Sequence, residues 1–131
     1  MPLTDHTVPL GTFCAVLLAM TVKHFVADFM LQTHWMAMGK ERRESWLGPL
    51  AIHVFIHAGL TLLITLVVAP RLWWLALIDL VVHFCVDRGK AEIGQRCCWD
   101  FTKTQYWWLL GFDQFVHQVT NIAITAAFFV L

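Results

Sequence analysis

Four pairs of metal-ligand side chains recur along the chain, and the two members of each pair lie four residues apart. In an α-helix this spacing puts both side chains on one face, one turn above the other. The pairs are His24–Asp28, His53–His57, His83–Asp87 and Asp113–His117. Imidazole and carboxylate ligands without a thiolate suit Zn, Mn, Fe, Co or Ni, and spacing does not choose among these metals. Since these donors outnumber the ligands of one tetrahedral ion, the pattern predicts one or two divalent transition-metal ions.

Polar residues next to the pairs extend the polar stripe of some helices. Gln32 lies four residues after Asp28, and Asp79 lies four residues before His83. Both are expected to hold the ligands in place by hydrogen bonds, as outer carboxylates commonly do for ligand imidazoles. Asp79 is equally suited to a second role, as one of the residues along which protons pass through the bundle. Lys23 is expected to reach the membrane surface or to face a pore.

The elements that carry these pairs are long apolar segments. The chain has 131 residues, of which 59% are hydrophobic and 14% charged, with a mean hydropathy of +0.65. A soluble domain averages about 45–50% apolar and about 25% charged residues. A helix of about 20 residues crosses a bilayer, so we expect one all-α domain over residues 1–131, an integral membrane four-helix bundle with up-down-up-down topology. The predicted spans are residues 10–32, 49–69, 72–87 and 105–131.

The basic residues of the connections predict the orientation of this bundle. Arg71 is the one basic residue in the connection between the second and third spans. The connections on the other side contain Lys40, Arg42, Arg43, Arg88, Lys90, Arg96 and Lys103. The positive-inside rule places that side in the cytoplasm and both termini in the periplasm. All four pairs then lie at one depth, on the cytoplasmic side of the midplane. The net charge of zero argues against nucleic acid as a partner.

The quoted motifs resemble a family of small bacterial membrane proteins classed as domain of unknown function 3307. The resemblance covers nearly the whole chain. It rests on His24-Phe-Val-Ala-Asp28-Phe-Met-Leu-Gln32, His53-x-x-x-His57, His83-x-x-x-Asp87-x-x-Lys90 and Asp113-Gln114-x-x-His117. It implies a bacterial or phage origin and a multi-pass protein of the inner membrane, but no known activity. Gln114, beside Asp113, is a further residue expected to support the ligands. The His and Asp pattern is also similar, more distantly, to inner-membrane proteins classed as metal-dependent hydrolases.

The leading functional hypothesis is a metal-dependent hydrolase that acts at the cytoplasmic leaflet. Asp28 or Asp113 would serve as the general base for a metal-bound water. Arg88 and Lys90 directly follow the ligand Asp87, and cations beside a metal suit an anionic group. They are therefore expected to bind the phosphate of a membrane lipid, although both residues would equally anchor the span to headgroups.

Three other functions remain open at this point. The same cluster would serve a transition-metal carrier or sensor, or a di-iron membrane oxidoreductase. The bundle could also be non-catalytic, with the His and Asp residues hydrogen-bonded to one another because isolated polar groups are costly in a membrane. Whether the chain forms a homo-oligomer is also left open.

Overall fold

The fold is known from a computed structural model that describes residues 7–131. All of the regular secondary structure in this range is helical, so the prediction of an all-α fold is confirmed. The first six residues of the predicted domain lie outside the described range. The helices are α1 (Leu10–Phe25), α2 (His34–Gly39), α3 (Leu47–Val68), α4 (Leu75–Cys97) and α5 (Thr104–Val130).

The first predicted span changes its helical form before it ends. From Val26 to Met30 the backbone forms a π-helical turn. The N–H of Leu31 closes this turn by donating to the carbonyl of Val26 at 2.9 Å. A π-helical turn within an α-helix is rare and occurs mainly at functional sites. No proline or glycine marks this turn in the sequence, so hydropathy alone indicated a uniform helix.

The short helix α2 occupies the segment that was expected to be only a connection between the first two spans. Thr33 caps its start, because its side-chain oxygen accepts a hydrogen bond from the N–H of Met36. At its other end, Gly39 lies close to Pro49 in the first turn of α3. A Cβ atom on Gly39 would lie 2.7 Å from Cβ of Pro49. The glycine therefore allows α2 to fold back against α3.

Helix α4 continues well past Asp87, where the third span was expected to end. The extension is charged, and ion pairs at helical spacing stabilise it, Arg88 with Glu92 and Glu92 with Arg96. The helix ends where Cys98 takes up a left-handed conformation with φ 53°. Hydropathy marked the end of the apolar segment, which is not the end of the helix.

The four long helices pack in a closed ring. Helix α1 contacts α3 and α5, and α4 contacts the same two helices from the opposite side. The short α2 packs on α3. An apolar cluster fills the end of the ring near the turn between α3 and α4. It consists of Val16, Met20, Leu72, Leu75, Ile124 and Phe128. The predicted ligands lie beyond this cluster, toward the other end.

The polarity of the bundle is inverted relative to that of a soluble protein. Charged residues are almost never fully buried in soluble domains, yet Lys23, Asp79 and Asp87 are at most 4% exposed. Large apolar side chains instead cover the outside, as Phe55 does on α3 and Phe115 on α5. Two helical segments, Leu10–Met30 and Leu47–Val68, are long and apolar enough to cross a membrane.

Candidate metal centre

The histidines of the four predicted pairs lie together inside the ring of helices. His83 of α4 stacks between His57 of α3 and His117 of α5, with ring centroids 4.0 Å apart on each side. His24 of α1 lies 5.2 Å from the His57 ring and 5.3 Å from the His117 ring. The ring of His53 is 4.7 Å from that of His57. All of these histidines are at most 3% exposed.

Asp28, in the π-helical turn, connects three of these imidazoles. Its carboxylate oxygens lie 2.9 Å from Nε2 of His57, 3.1 Å from Nε2 of His24 and 3.4 Å from Nε2 of His53. One carboxylate therefore joins the ligands of α1 to both ligands of α3.

Asp87 of α4 makes the corresponding connection on the opposite side of the cluster. Its two oxygens lie 3.0 Å from Nε2 of His117 and 3.2 Å from Nε2 of His53. Asp113, one turn before His117 on α5, lies 3.2 Å from the same Nε2 atom. Three of the four helices thus meet at these two carboxylates.

His83 is paired with Asp79, on the turn before it, and not with the Asp87 of the sequence pattern. Nδ1 of His83 lies 3.1 Å from Oδ1 of Asp79. Asp79 therefore contacts His83 in the way expected of a residue that supports a ligand. Asp87 is left free to contact α3 and α5.

Three groups of ligand atoms within the cluster are compact enough to hold a metal ion. The ligand atoms of each group lie within 4.8 Å of one another. The groups are His24, His57 and His83; Asp28, His53 and His57; and Asp87, Asp113 and His117. The first two groups share His57, and the contact between His53 and Asp87 joins the second to the third. The structure therefore brings every predicted ligand into one continuous cluster.

Each of the five imidazoles keeps one buried ring nitrogen without a hydrogen-bond partner among the described residues. These atoms are Nδ1 of His24, His53, His57 and His117, and Nε2 of His83. A buried polar atom without a partner costs about 1–3 kcal/mol. A purely structural network of His and Asp would not be expected to leave so many atoms unsatisfied.

The two glutamines that were expected to support the ligands make different contacts. Gln114 bridges two carboxylates, since its Nε2 donates to Asp28 at 3.4 Å and to Asp113 at 3.2 Å. Its Oε1 lies 3.2 Å from Nε2 of His24. Gln32 donates to the backbone carbonyl of Asp28 at 3.0 Å. It therefore stabilises the π-helical turn and not the carboxylate itself.

Lys23 is buried in the interior of the bundle and does not extend to the outside, as one of its two expected positions required. Its Nζ donates to Asp79 and to Thr61, both at 2.9 Å. The hydroxyl of Thr61 donates to the same carboxylate at 2.6 Å. Because Asp79 also contacts His83, a hydrogen-bonded chain runs from Lys23 to the imidazole cluster.

Lys40 is a member of the cluster that sequence reasoning missed. Its Nζ donates to Asp87 at 2.8 Å and lies 3.1 Å from Nε2 of His53. The side chain is buried, although the residue lies in a connection between two spans. Helix α2 and the contact between Gly39 and Pro49 bring it there. No spacing rule connects Lys40 to residues of α3 and α4, so the sequence contained no local signal.

The two cations proposed to bind substrate lie in different places. Lys90 points toward the cluster, with Nζ 3.1 Å from Glu41 and 3.6 Å from Asp113. Burial disfavours its charged form, but the negative charges of Asp113, Glu41 and Asp87 outweigh burial and raise the pKa of Lys90 above its ordinary value. Arg88 points away, with its guanidinium 4.0 Å from the centre of the Trp46 ring.

A cavity of about 440 Å³ borders the cluster at the end where α2 lies. Its lining includes the three cluster carboxylates and both nearby lysines. These residues are Asp28, Asp87, Asp113, Lys40 and Lys90. The carboxylate side of the cluster is therefore accessible from this end of the bundle.

Comparison with known proteins identifies the family but no activity. The sequence model of a family described as a protein of unknown function, DUF3307, matches residues 16–131. The chain belongs to this family. No curated protein and no solved structure matches the chain significantly.

Proposed function

We propose that this DUF3307 protein is a four-span membrane hydrolase that binds divalent transition-metal ions and cleaves a phosphate-bearing lipid at the cytoplasmic leaflet. The observation that supports this proposal most strongly is that three groups of possible metal ligands, from four helices, lie together in one buried cluster.

The inverted polarity supports four spans. Helices α4 and α5 have lower average hydropathy than α1 and α3, but many of their polar residues face the interior. Those buried on the two helices are Asp79, His83, Asp87, Asp113, His117, Asn121 and Thr125. The outward positions are largely apolar along the bundle, as on Leu77, Val81 and Ile122. A helix with this pattern is compatible with lipid when its polar stripe is covered by neighbouring helices.

Three observations support a metal in the cluster. Contacts between Nε2 atoms and carboxylate oxygens range from 2.9 to 3.4 Å. Two ligands bonded to one ion at about 2.0–2.2 Å, at tetrahedral or right angles, are separated by about 3.0–3.5 Å. Nε2 of His83 has no hydrogen-bond partner among the described residues, so it is free to bind an ion. Finally, the carboxylates of Asp28, Asp87 and Asp113 exceed the charges of Lys40 and Lys90, which favours an added cation.

The cavity favours hydrolysis over transport. It opens the carboxylate side of the cluster toward one end of the bundle. At the opposite end the interior is filled by the Lys23–Asp79 pair and by the apolar cluster. A carrier would need access from both ends. A bound metal would lower the pKa of a water molecule at this site, and Asp28 or Asp113 would accept its proton.

Lys90 supports a phosphate-bearing substrate. It borders the cavity, and its contacts with Asp113 and Glu41 hold its ammonium group beside the cluster. An ammonium next to a metal centre stabilises the charge of a phosphate. Lipid headgroups supply phosphates at the cytoplasmic surface of the bilayer, near which the proposed orientation puts Lys90.

The test is hydrolysis of phosphatidate in vesicles by the purified protein, before and after metal removal and reloading. Lys90→Ala should lower the turnover of phosphatidate at least about tenfold, or 1.4 kcal/mol in the barrier, with metal content unchanged. Arg88→Ala is the matched control and should retain activity. If the reloaded protein binds metal but hydrolyses no phosphate ester, the hydrolase assignment is wrong.

A further inference from the structure

A narrow apolar groove lies between α4 and α5, outside the cavity that borders the cluster. Its volume is about 160 Å³. The walls are apolar or small side chains, namely Cys85, Val86, Gly89 and Ile93 of α4 and Leu109 and Phe112 of α5. The positions on α4 run from Cys85 to Ile93, eight residues apart, which corresponds to about 12 Å of helix. Cys85, Ile93 and Phe112 are exposed, so the groove faces the surroundings of the bundle.

The charged residues in the lining of this groove are Lys90 and Asp113. The same two residues line the 440 Å³ cavity beside the cluster. A third cavity, of about 350 Å³, also includes Lys90 and has Trp99 and Tyr106 in its lining. Lys90 is therefore the point at which an apolar groove, an aromatic cavity and the carboxylate-lined cavity meet.

We infer that this groove binds a hydrocarbon chain of a phosphate-bearing lipid whose phosphate lies at Lys90. The inference rests on the proposed function, and it adds the route by which the substrate enters, sideways between α4 and α5. Apolar walls beside the ammonium group of Lys90 match the junction between a charged headgroup and its hydrocarbon chain. A second protein helix, about 10 Å across, would not fit into a groove of about 160 Å³.

Gly89 keeps the groove open. A Cβ atom at this position would have no atom of a neighbouring helix within 4 Å, so a larger side chain would extend into free space. Gly59 of α3 has the same open surroundings but does not line the groove. Substitutions to leucine at these two glycines therefore form a matched pair.

The test uses a phosphatidate probe with a photoreactive group in the middle of one acyl chain, in vesicles consisting mainly of phosphatidylethanolamine. After irradiation of the wild type, labelled peptides should contain Cys85–Ile93 or Leu109–Phe112. Gly89→Leu should lower this labelling at least about tenfold, equivalent to 1.4 kcal/mol, while Gly59→Leu should not change it. If Gly89→Leu does not fold, Cys85→Phe narrows the groove from its exposed end and should give the same loss.

A diacylglycerol probe with the same photoreactive chain separates phosphate-directed binding from ordinary lipid contact. It should label the groove much more weakly than the phosphatidate probe. Equal labelling by both probes, or labelling spread evenly over the outer faces of the helices, would overturn the inference. Metal content is measured in the same samples. If the protein binds metal but the groove is not labelled, the lipid-binding groove is rejected and the metal centre stands. If the protein binds no metal, the proposed metal centre is rejected, and the labelling of the groove by the two probes still decides whether the groove binds a phosphate-bearing lipid.

Discussion

Replacing Lys23 with methionine should destabilise the protein strongly, because it leaves a buried carboxylate without its cation. Lys23 is 4% exposed and its partner Asp79 is fully buried. Methionine keeps an unbranched chain and removes the charge, so the change tests the ion pair more than the packing.

The expected magnitude follows from the partners that Asp79 retains. Breaking a buried ion pair by removing one partner costs about 3–5 kcal/mol. Asp79 keeps the hydrogen bond from Thr61 and its contact with His83. We therefore expect a loss near the lower limit, about 3 kcal/mol, or roughly 150-fold in the ratio of folded to unfolded protein.

The assay is equilibrium unfolding in a mild detergent with increasing dodecyl sulfate. The double variant Lys23→Met/Asp79→Leu should cost about 1–3 kcal/mol, since it removes both charges and leaves Thr61 and His83 without their acceptor. Asp79→Leu alone leaves Lys23 buried without its carboxylate and should cost about 3–5 kcal/mol, so the double variant should lose less than the two single variants added together. Lys103→Met, at an exposed position, is the control and should stay within about 0.5 kcal/mol of the wild type. A loss below about 1 kcal/mol for Lys23→Met would show that this lysine can reach water, as the sequence had suggested.

Two further outcomes follow from the fold and from the proposed orientation. Gly39→Ala should lower the free energy of unfolding by about 1–3 kcal/mol, because the new Cβ atom would lie 2.7 Å from Cβ of Pro49. Gly11→Ala is the control. Its Cβ atom would lie in open space, so this variant should be as stable as the wild type or more stable. A similar loss at both glycines would contradict the close approach of α2 to α3. A reporter that is active only in the periplasm should be active when fused after Leu131 and inactive within residues 99–103. The reverse result would invert the proposed topology.

The features predicted from the sequence depend on local patterns. Helical segments follow from apolar runs bounded by prolines and charged connections. The ligand pairs follow from a spacing of four, and their common depth follows from where each pair lies in its segment. The structure brings His24, His57 and His117 together because three helices carry their polar stripe to the same level.

The features that the sequence did not predict depend on contacts between distant residues or on side-chain direction. Lys40 reaches Asp87, 47 residues away, only because α2 folds back onto α3. Lys23 meets Asp79 across the bundle, 56 residues away, so hydropathy could not distinguish a buried lysine from one that reaches the surface. Spacing allowed either aspartate as the partner of His83. The contact with Asp79 was expected of a supporting residue, whereas the contacts of Asp87 with His53 and His117 instead of His83 were not.

The central claim is that the His and Asp cluster holds metal, and elemental analysis of the purified protein tests it most directly. The wild type, reconstituted with Zn, Mn, Fe, Co or Ni, should retain one or two ions per chain after desalting. The variant His53→Ala/His57→Ala loses two of the three donors of one ligand group and one of another, and it should retain less metal than the wild type. A folded wild-type protein that stays free of all five metals would contradict the account.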